Sequence, residues 1–285
     1  MLLRREAAYA GGRTGGRSAR ASGRRGFVAA LAFGLVFLAV SGFEARAADA
    51  RNGRVLVFTK TAGFRHDSIP DAIAAVRAIG ESDGFEVEAT EDAARFDDAS
   101  LSRYDAVVFV STTGDVLDGR QQDALQRFVR GGRGFAGIHA AADTEHGWPW
   151  YLALLGAEFR THPAVQPAVL RVEDPAHSST RGLPGEWRRT DEWYDFVGSP
   201  RESAHVLLSL DETTYEGGSM GSDHPAAWCR YFEGGRSWYT ALGHTRESWS
   251  EPLFLEHVRG GIRFAAGYPD CPARGTRVVS PRGPR

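Results

Sequence analysis

The sequence predicts a doubly wound α/β fold, built on a mainly parallel sheet and followed by a second half that contains a β-hairpin. Three short runs of consecutive apolar residues indicate strands that are covered on both faces of a parallel sheet. Amphipathic segments of helical period separate these runs, and this alternation implies right-handed crossover connections. A glycine-containing turn between two later apolar runs indicates the hairpin.

The first predicted strand is Arg54–Thr59, a continuous apolar run that opens the fold. A helix is predicted to begin at Asp67 or Ser68, because short polar side chains at this position accept hydrogen bonds from the first free backbone N–H groups. Its apolar residues recur at helical spacing, and Gly80 or Gly84 is predicted to end it.

The next elements complete the parallel part of the sheet. Phe85–Ala89 alternates polar and apolar residues, which favours a strand nearer an edge. Tyr104–Val110 is a second buried strand, and Asp118 with a glutamine three residues later resembles the capping box of a helix. Gly131 is predicted to stop that helix, and Phe135–Ile138 is the third buried strand.

After residue 143 the apolar pattern becomes less regular. The predicted elements are a short helix at Tyr151–Leu155, strands at Ala168–Glu173 and Ala204–Leu210, a hairpin of Ala226–Phe232 and Arg236–Leu242, and a closing helix at Glu251–Phe264. The Glu233-Gly234-Gly235 sequence between the hairpin strands is a strong turn signal. These elements would extend the parallel sheet into a second half.

The chain ends fall outside the predicted domain, residues 53–267. Residues 1–47 have the features of an export signal: many arginines, the apolar stretch Phe27–Val40 and a small-residue cleavage sequence at Ala45–Ala47. Export to the periplasm or medium is therefore expected, without stable membrane association after cleavage; an uncleaved anchor is the alternative. Arg24-Arg25 resembles a twin-arginine signal. The Pro-, Arg- and Gly-containing tail, residues 268–285, is expected to be disordered.

Charge and cysteine content restrict the function classes. The formal net charge is −2, and once residues 1–47 are set aside acidic residues outnumber basic ones, so no basic stripe for nucleic acid remains. An exported protein can form a disulfide, but spacing alone leaves the pairing of Cys229 and Cys271 open. Neither cysteine has the setting of a catalytic thiol.

The residue that ends the third buried strand is His139, in a stretch of small residues that allows a sharp turn. Such an elbow presents one functional side chain. In doubly wound sheets, ligands bind outside the carboxyl ends of the strands. The loops at those ends include Lys60–His66 and His139–Asp143, so Arg65, His66 and His139 are expected to share one rim.

Four turn segments of the second half add candidate residues. They are Phe159–Pro163, Thr190–Tyr194, Ser222–Pro225 and Gly243–Arg246. Their histidines are expected to face a common cavity with those of the first half. Because a neutral imidazole titrates near physiological pH, His139 and His66 are the predicted acid/base pair, assisted by Glu192 or Asp191.

The remaining candidates would contact the substrate. They are Arg65, His162, His224, His244, Trp193 and Tyr194. For each of them a purely structural role is the alternative, such as a surface ion pair for Arg65 or packing for the aromatic residues. Imidazoles with a carboxylate also suit a divalent metal such as Zn²⁺, although every ligand would come from a separate loop.

Six motifs together resemble the ThuA-like (trehalose utilisation) family. They are Gly63–Ile69, Gly134–Ala140, Thr161–Pro163, Asp191–Tyr194, His224–Trp228 and Leu242–His244, in order along the chain. The resemblance implies a fold like that of class I glutamine amidotransferases, although His139 stands where a glutaminase needs a thiol. It also implies a small-molecule sugar substrate, a disaccharide or a keto-glycoside. A non-catalytic carbohydrate-binding or accessory protein is the alternative.

Overall fold

The computed structural model describes residues 53–267 and confirms the predicted doubly wound α/β class. The predicted export signal and C-terminal tail lie outside the described residues. Among the residues that are described, none of the helices combines the length and apolar character needed to span a bilayer.

Five α-helices and eleven strands make up the described chain. The helices are α1 (Ile69–Asp83), α2 (Asp98–Leu101), α3 (Gly119–Arg130), α4 (Pro149–Leu155) and α5 (Pro252–Ala266). The strands are β1 (Arg54–Phe58), β2 (Glu86–Thr90), β3 (Ala106–Val110), β4 (Gly134–Ile138), β5 (Phe159–Thr161), β6 (Gln166–Val172), β7 (Glu186–Asp191), β8 (Asp195–Phe196), β9 (His205–Asp211), β10 (Pro225–Phe232) and β11 (Gly235–Thr240).

The predicted end of α1 and start of α3 are confirmed, whereas Ser68, which directly precedes α1, makes no capping hydrogen bond with its side chain. Gly84 adopts a left-handed conformation directly after α1. Of the two glycines predicted to end this helix, Gly80 and Gly84, it is therefore Gly84 that ends it. The capping box of α3 is present, because Asp118 accepts from the backbone N–H of Gln121 while the Gln121 side chain accepts from the backbone N–H of Asp118.

Nine strands form one sheet, in the order β2-β1-β3-β4-β11-β10-β9-β6-β7. The first five in this order run parallel, with β2 at the edge as predicted. Side chains alternate between the two faces of each strand. Val55 and Val57 of β1 belong to the core beneath α1 and α5, whereas Leu56 and Phe58 belong to the core beneath α3 and α4. Both faces of the parallel strands are therefore covered.

The second half extends this sheet through antiparallel strands. The hairpin β10–β11 is confirmed, and β9, β6 and β7 follow it through antiparallel pairings. Strand β7 was not predicted, because the residues it buries include the charged Arg189 and Asp191.

The antiparallel end of the sheet curves back towards its centre. In a flat sheet β7 and β11 would lie about 19 Å apart, at about 4.8 Å per neighbouring strand. Yet the Asp191 carboxylate at the end of β7 lies 2.8 Å from the Gly243 nitrogen just after β11. Helix α5 fills the concave side, where Trp187 of β7 and Trp238 of β11 both contact His257. This curvature brings two distant strand ends to one place.

Cys229 lies in the predicted strand Ala226–Phe232. Cys229 is completely buried in β10 as a disulfide-bonded cysteine. Cys271 lies outside the described residues. A buried residue in the middle of a strand is not placed to act as a nucleophile on a small substrate.

Candidate functional site

Four side chains converge at the carboxyl edge of the sheet. His66, His139 and His244 lie beyond β1, β4 and β11, which run parallel, and Glu192 directly follows β7. Four successive antiparallel pairings give β7 the same direction as β11. One ligand atom from each side chain lies within 4.8 Å of the others. We call these four residues the His₃Glu cluster; it occupies the position where such sheets bind ligands.

His139 forms the elbow that the sequence predicts. Its φ of 53° is left-handed, which is uncommon for a residue other than glycine, and its side chain is completely buried. The ring Nδ1 lies 2.8 Å from the carbonyl oxygen of Ala241. Because a carbonyl oxygen can only accept, Nδ1–H donates to it, and Nε2 is the ring nitrogen that faces the cluster.

Glu192 links the members of the cluster. Its Oε2 atom lies 3.1 Å from Nδ1 of His244 and 3.4 Å from Nε2 of His139. Its Oε1 atom lies 3.0 Å from Nδ1 of His162. Burial acts to raise the pKa of Glu192, but interactions with His139 and His244 outweigh it and hold the pKa well below its usual value. The carboxylate is therefore charged at neutral pH.

His66 is a neutral imidazole at physiological pH. Burial, followed by the neighbouring His139 and His244, lowers the pKa of His66 to about 3. Its ring meets those of His139 and His244 edge-on, with centroids 4.8 and 5.1 Å apart. Its Nδ1 atom is buried and has no hydrogen-bond partner within residues 53–267. For His244 burial lowers the pKa, but the hydrogen bond with Glu192 raises it more.

Asp191 supports the cluster by holding the backbone of the turn that carries His244. Its completely buried carboxylate accepts from the backbone N–H groups of Gly243 at 2.8 Å and His244 at 3.1 Å, and it pairs with the buried Arg189. Gly243 has a φ of +106°, which few residues other than glycine adopt. Asp191 therefore fixes the turn that carries His244 instead of facing the cavity.

His162 is the solvent-facing neighbour of the cluster. Its side chain is 41% exposed, whereas those of His139 and Glu192 are almost fully buried. Tyr194 lies between the rings, at centroid distances of 4.3 Å from His139 and 5.9 Å from His162. Tyr194 is itself buried, so it packs the site and offers little surface to a substrate.

Three other predicted substrate contacts are placed elsewhere by the structure. Arg65 forms an exposed ion pair with Glu91 at 2.6 Å. Trp193 is buried and donates to the backbone carbonyl of Gln166. His224 is buried too; its Nε2 lies 2.8 Å from the carbonyl oxygen of Tyr194. These three residues do not join the cluster.

A cavity of about 320 Å³ opens beside the cluster, with His66 and His244 in its lining. The lining also includes Phe64, 65% exposed, whose ring meets that of His66 edge-on at 4.8 Å. Phe64 is not among the predicted site residues. The signal for it in the sequence is an aromatic residue in a glycine-containing loop, two positions before a candidate histidine.

Comparison with known proteins agrees with this fold. The sequence model of the ThuA family, described as trehalose utilisation, matches residues 54–265. A ThuA-like protein from Bacteroides uniformis ATCC 8492 is 24% identical, with a TM-score of 0.65, over 79% of this chain and 95% of that chain. One from Parabacteroides merdae ATCC 43184 is 21% identical, with a TM-score of 0.63, over 75% and 90%. No curated protein matches the sequence. The chain therefore belongs to the ThuA family.

Proposed function

We propose that this ThuA-family protein is an exported enzyme that acts on a disaccharide or keto-glycoside by transferring a proton next to a sugar carbonyl. The observation that carries the proposal is the His₃Glu cluster itself. Three imidazoles and a carboxylate from four separate strand ends meet beside one cavity. Imidazole and carboxylate side chains are the groups that most often act as general acids and bases in enzymes.

The side chains of the site differ in their exposure to solvent, and this difference suggests a different role for each. His139 and His66 are the predicted acid/base pair; His139 is completely buried and His66 lines the cavity, so both lie on the inner side of the site. Glu192 and His162 form the arm that reaches solvent, through the 3.0 Å contact between Oε1 and Nδ1. A proton taken from the substrate can leave along this arm, so His162 is the group that exchanges it with water.

The cavity favours an uncharged sugar over a sugar phosphate. Asp67 and Glu247 bring carboxylates to its lining, and the one arginine there, Arg246, is already paired with Asp71 at 2.7 Å. Phe64 offers an exposed ring to the apolar face of a pyranose. The volume of about 320 Å³ is at the lower end of the range for small-molecule sites.

A screen of disaccharides and their oxidised, keto forms tests the proposed activity. Purified protein is incubated with each sugar in deuterated water, and products and deuterium uptake next to the carbonyl are followed by NMR. We expect turnover with at least one keto-glycoside and none with glutamine. Absence of both turnover and deuterium exchange across the panel would contradict the proposal.

Replacing His162 tests the proton route. We expect His162→Ala to lower kcat by about 10²-fold, the lower end of what general acid/base groups contribute, with little change in KM. Exogenous imidazole should restore part of the rate, because it can replace the lost ring at this exposed position. The matched control is His205→Ala, since His205 pairs with Asp174 outside the site. Equal kcat values for the two variants would count against this role.

The Phe64 side chain tests the sugar-facing surface. We expect Phe64→Ala to raise KM about tenfold with a small change in kcat, because it removes binding area and leaves the reacting groups in place. Phe64→Tyr should keep the wild-type KM. Val197, which is 63% exposed and absent from the cavity lining, provides the control Val197→Ala. An unchanged KM in Phe64→Ala would show that Phe64 does not contribute to sugar binding.

A further inference from the structure

We infer that the His₃Glu cluster is a tetrahedral centre for a divalent transition metal of the zinc type. The role of such an ion as the electrophile that holds a sugar oxygen rests on the proposed function. Its binding does not, because it can be measured without any substrate.

Donor spacing matches tetrahedral coordination. Zinc–nitrogen and zinc–oxygen distances of about 2.0–2.1 Å place neighbouring donors of a tetrahedron roughly 3.3 Å apart, whereas right-angled coordination gives roughly 2.9 Å. The distances between Nε2 of His139, Nδ1 of His244 and Oε2 of Glu192 are 3.2, 3.1 and 3.4 Å. These three atoms therefore form one face of a tetrahedron of the right size, and His66 lies within reach as the fourth ligand.

The lone pairs of the cluster are directed at one another. The carbonyl oxygen of Ala241 accepts a hydrogen bond from Nδ1–H of His139, and this contact turns Nε2 of His139 towards Oε2 of Glu192, 3.4 Å away. Two such electron-rich atoms at this distance require a proton or a metal ion between them. His66, 5% exposed, adds a buried Nδ1 that has no hydrogen-bond partner in the described part of the chain. A bound cation satisfies all of these groups at once.

The supporting contacts are also those of metal sites. A ligating histidine usually donates its other ring N–H to a carbonyl or carboxylate, which fixes its tautomer and orientation. His139 makes this bond to Ala241, and Asp191 holds the backbone of His244. The donor set of imidazoles with one carboxylate suits zinc and its neighbours better than calcium or magnesium, which prefer oxygen ligands.

A second group of potential ligands, Asp195, Glu212 and His224, provides the internal comparison. Here the donors are already paired within the protein: Nδ1 of His224 lies 2.7 Å from Glu212, and its Nε2 lies 2.8 Å from the Tyr194 carbonyl. Asp195 has Arg160 at 3.6 Å as a cation. This group has no need of an ion, so it serves as a matched control for the cluster.

Zinc binding tests the inference directly. Full-length protein is stripped with a chelator and titrated with Zn²⁺ by calorimetry, and Co²⁺ is added in parallel to record its visible absorption. We expect one Zn²⁺ per chain and an intense tetrahedral Co²⁺ spectrum. His66→Ala and Glu192→Gln should each weaken Zn²⁺ binding by more than the roughly 100-fold that loss of a supporting partner costs. His224→Gln should bind Zn²⁺ like the wild type.

The possible outcomes distinguish a failure of the metal-site inference from a failure of the proposed sugar activity. Loss of Zn²⁺ binding in His224→Gln with retention in both cluster variants would overturn the inference, as would the absence of a Zn²⁺ site in folded wild-type protein. Undiminished sugar turnover by metal-free protein would overturn the role of the ion as the electrophile and leave the proposed function standing. Tight Zn²⁺ binding by the cluster without turnover on any sugar would support the inference and contradict the proposed function.

Discussion

Replacing His139 with asparagine is expected to lower kcat/KM for the sugar substrate by about 10²–10⁴-fold, the range that acid/base groups contribute. The ring supplies Nε2, which lies 3.2 Å from His244 and 3.4 Å from Glu192 at the centre of the cluster. Asparagine tolerates the left-handed φ of this position better than most residues, so the backbone of the elbow should persist. Steady-state kinetics on the keto-glycoside found in the screen measures the loss.

The alternative function gives a different outcome for the same variant. If the protein only binds carbohydrate, His139→Asn will bind sugar with altered or unchanged affinity, and the wild type will show no turnover to lose. Binding is followed by calorimetry, and folding by circular dichroism and the melting temperature. His205→Ala is again the control, with kinetics expected within about twofold of the wild type, because substitutions away from such sites have small effects.

Replacing Asp191 with alanine is expected to lower the free energy of unfolding by about 3–5 kcal/mol, which is the usual cost of breaking a buried ion pair from one side. Arg189, with 3% of its side chain exposed, would lose one of its two carboxylate partners, and the backbone N–H groups after β11 would lose their acceptor. For a domain of this size the melting temperature should fall by roughly 10 °C. Thermal unfolding followed by circular dichroism measures this fall.

A surface pair provides the comparison for Asp191. Glu86 is 62% exposed and lies 2.7 Å from Arg54, so Glu86→Ala should cost about 0–1 kcal/mol. Asp191→Ala should also lower activity, because the turn carrying His244 loses its support. A melting temperature for Asp191→Ala as high as that of Glu86→Ala would show that Asp191 does not hold the two strand ends together.

The parallel half of the fold was predictable because its signals are local. Strands β1, β3 and β4 are continuous apolar runs, and the ends of α3 are set by Asp118 and Gly131. Strand β7 was missed because Arg189 and Asp191 face inward, and their burial depends on one another and on Glu251. A buried ion pair formed between distant segments leaves no periodic pattern in the sequence.

The sequence indicated which residues form the cluster, but it did not indicate the role of each one. A histidine directly after a strand or beside a turn glycine indicated His66, His139 and His244, and all three lie in the cluster. Nothing local distinguishes them from His224, whose burial depends on Glu212 and on the Tyr194 backbone. Glu192 and Asp191 are neighbours in sequence, and only the curvature of the sheet decides which of them faces the cavity.

Because the sheet curves back on itself, the ligand-gathering centre exists only in the finished domain. A partly synthesised chain that has folded as far as β4 already carries His66 and His139, but it has neither a carboxylate beside them nor the third imidazole. Such an immature form lacks two of the four side chains of the cluster. The cluster is complete only when the end of β7 lies against the turn after β11, where the Asp191 carboxylate reaches the Gly243 nitrogen.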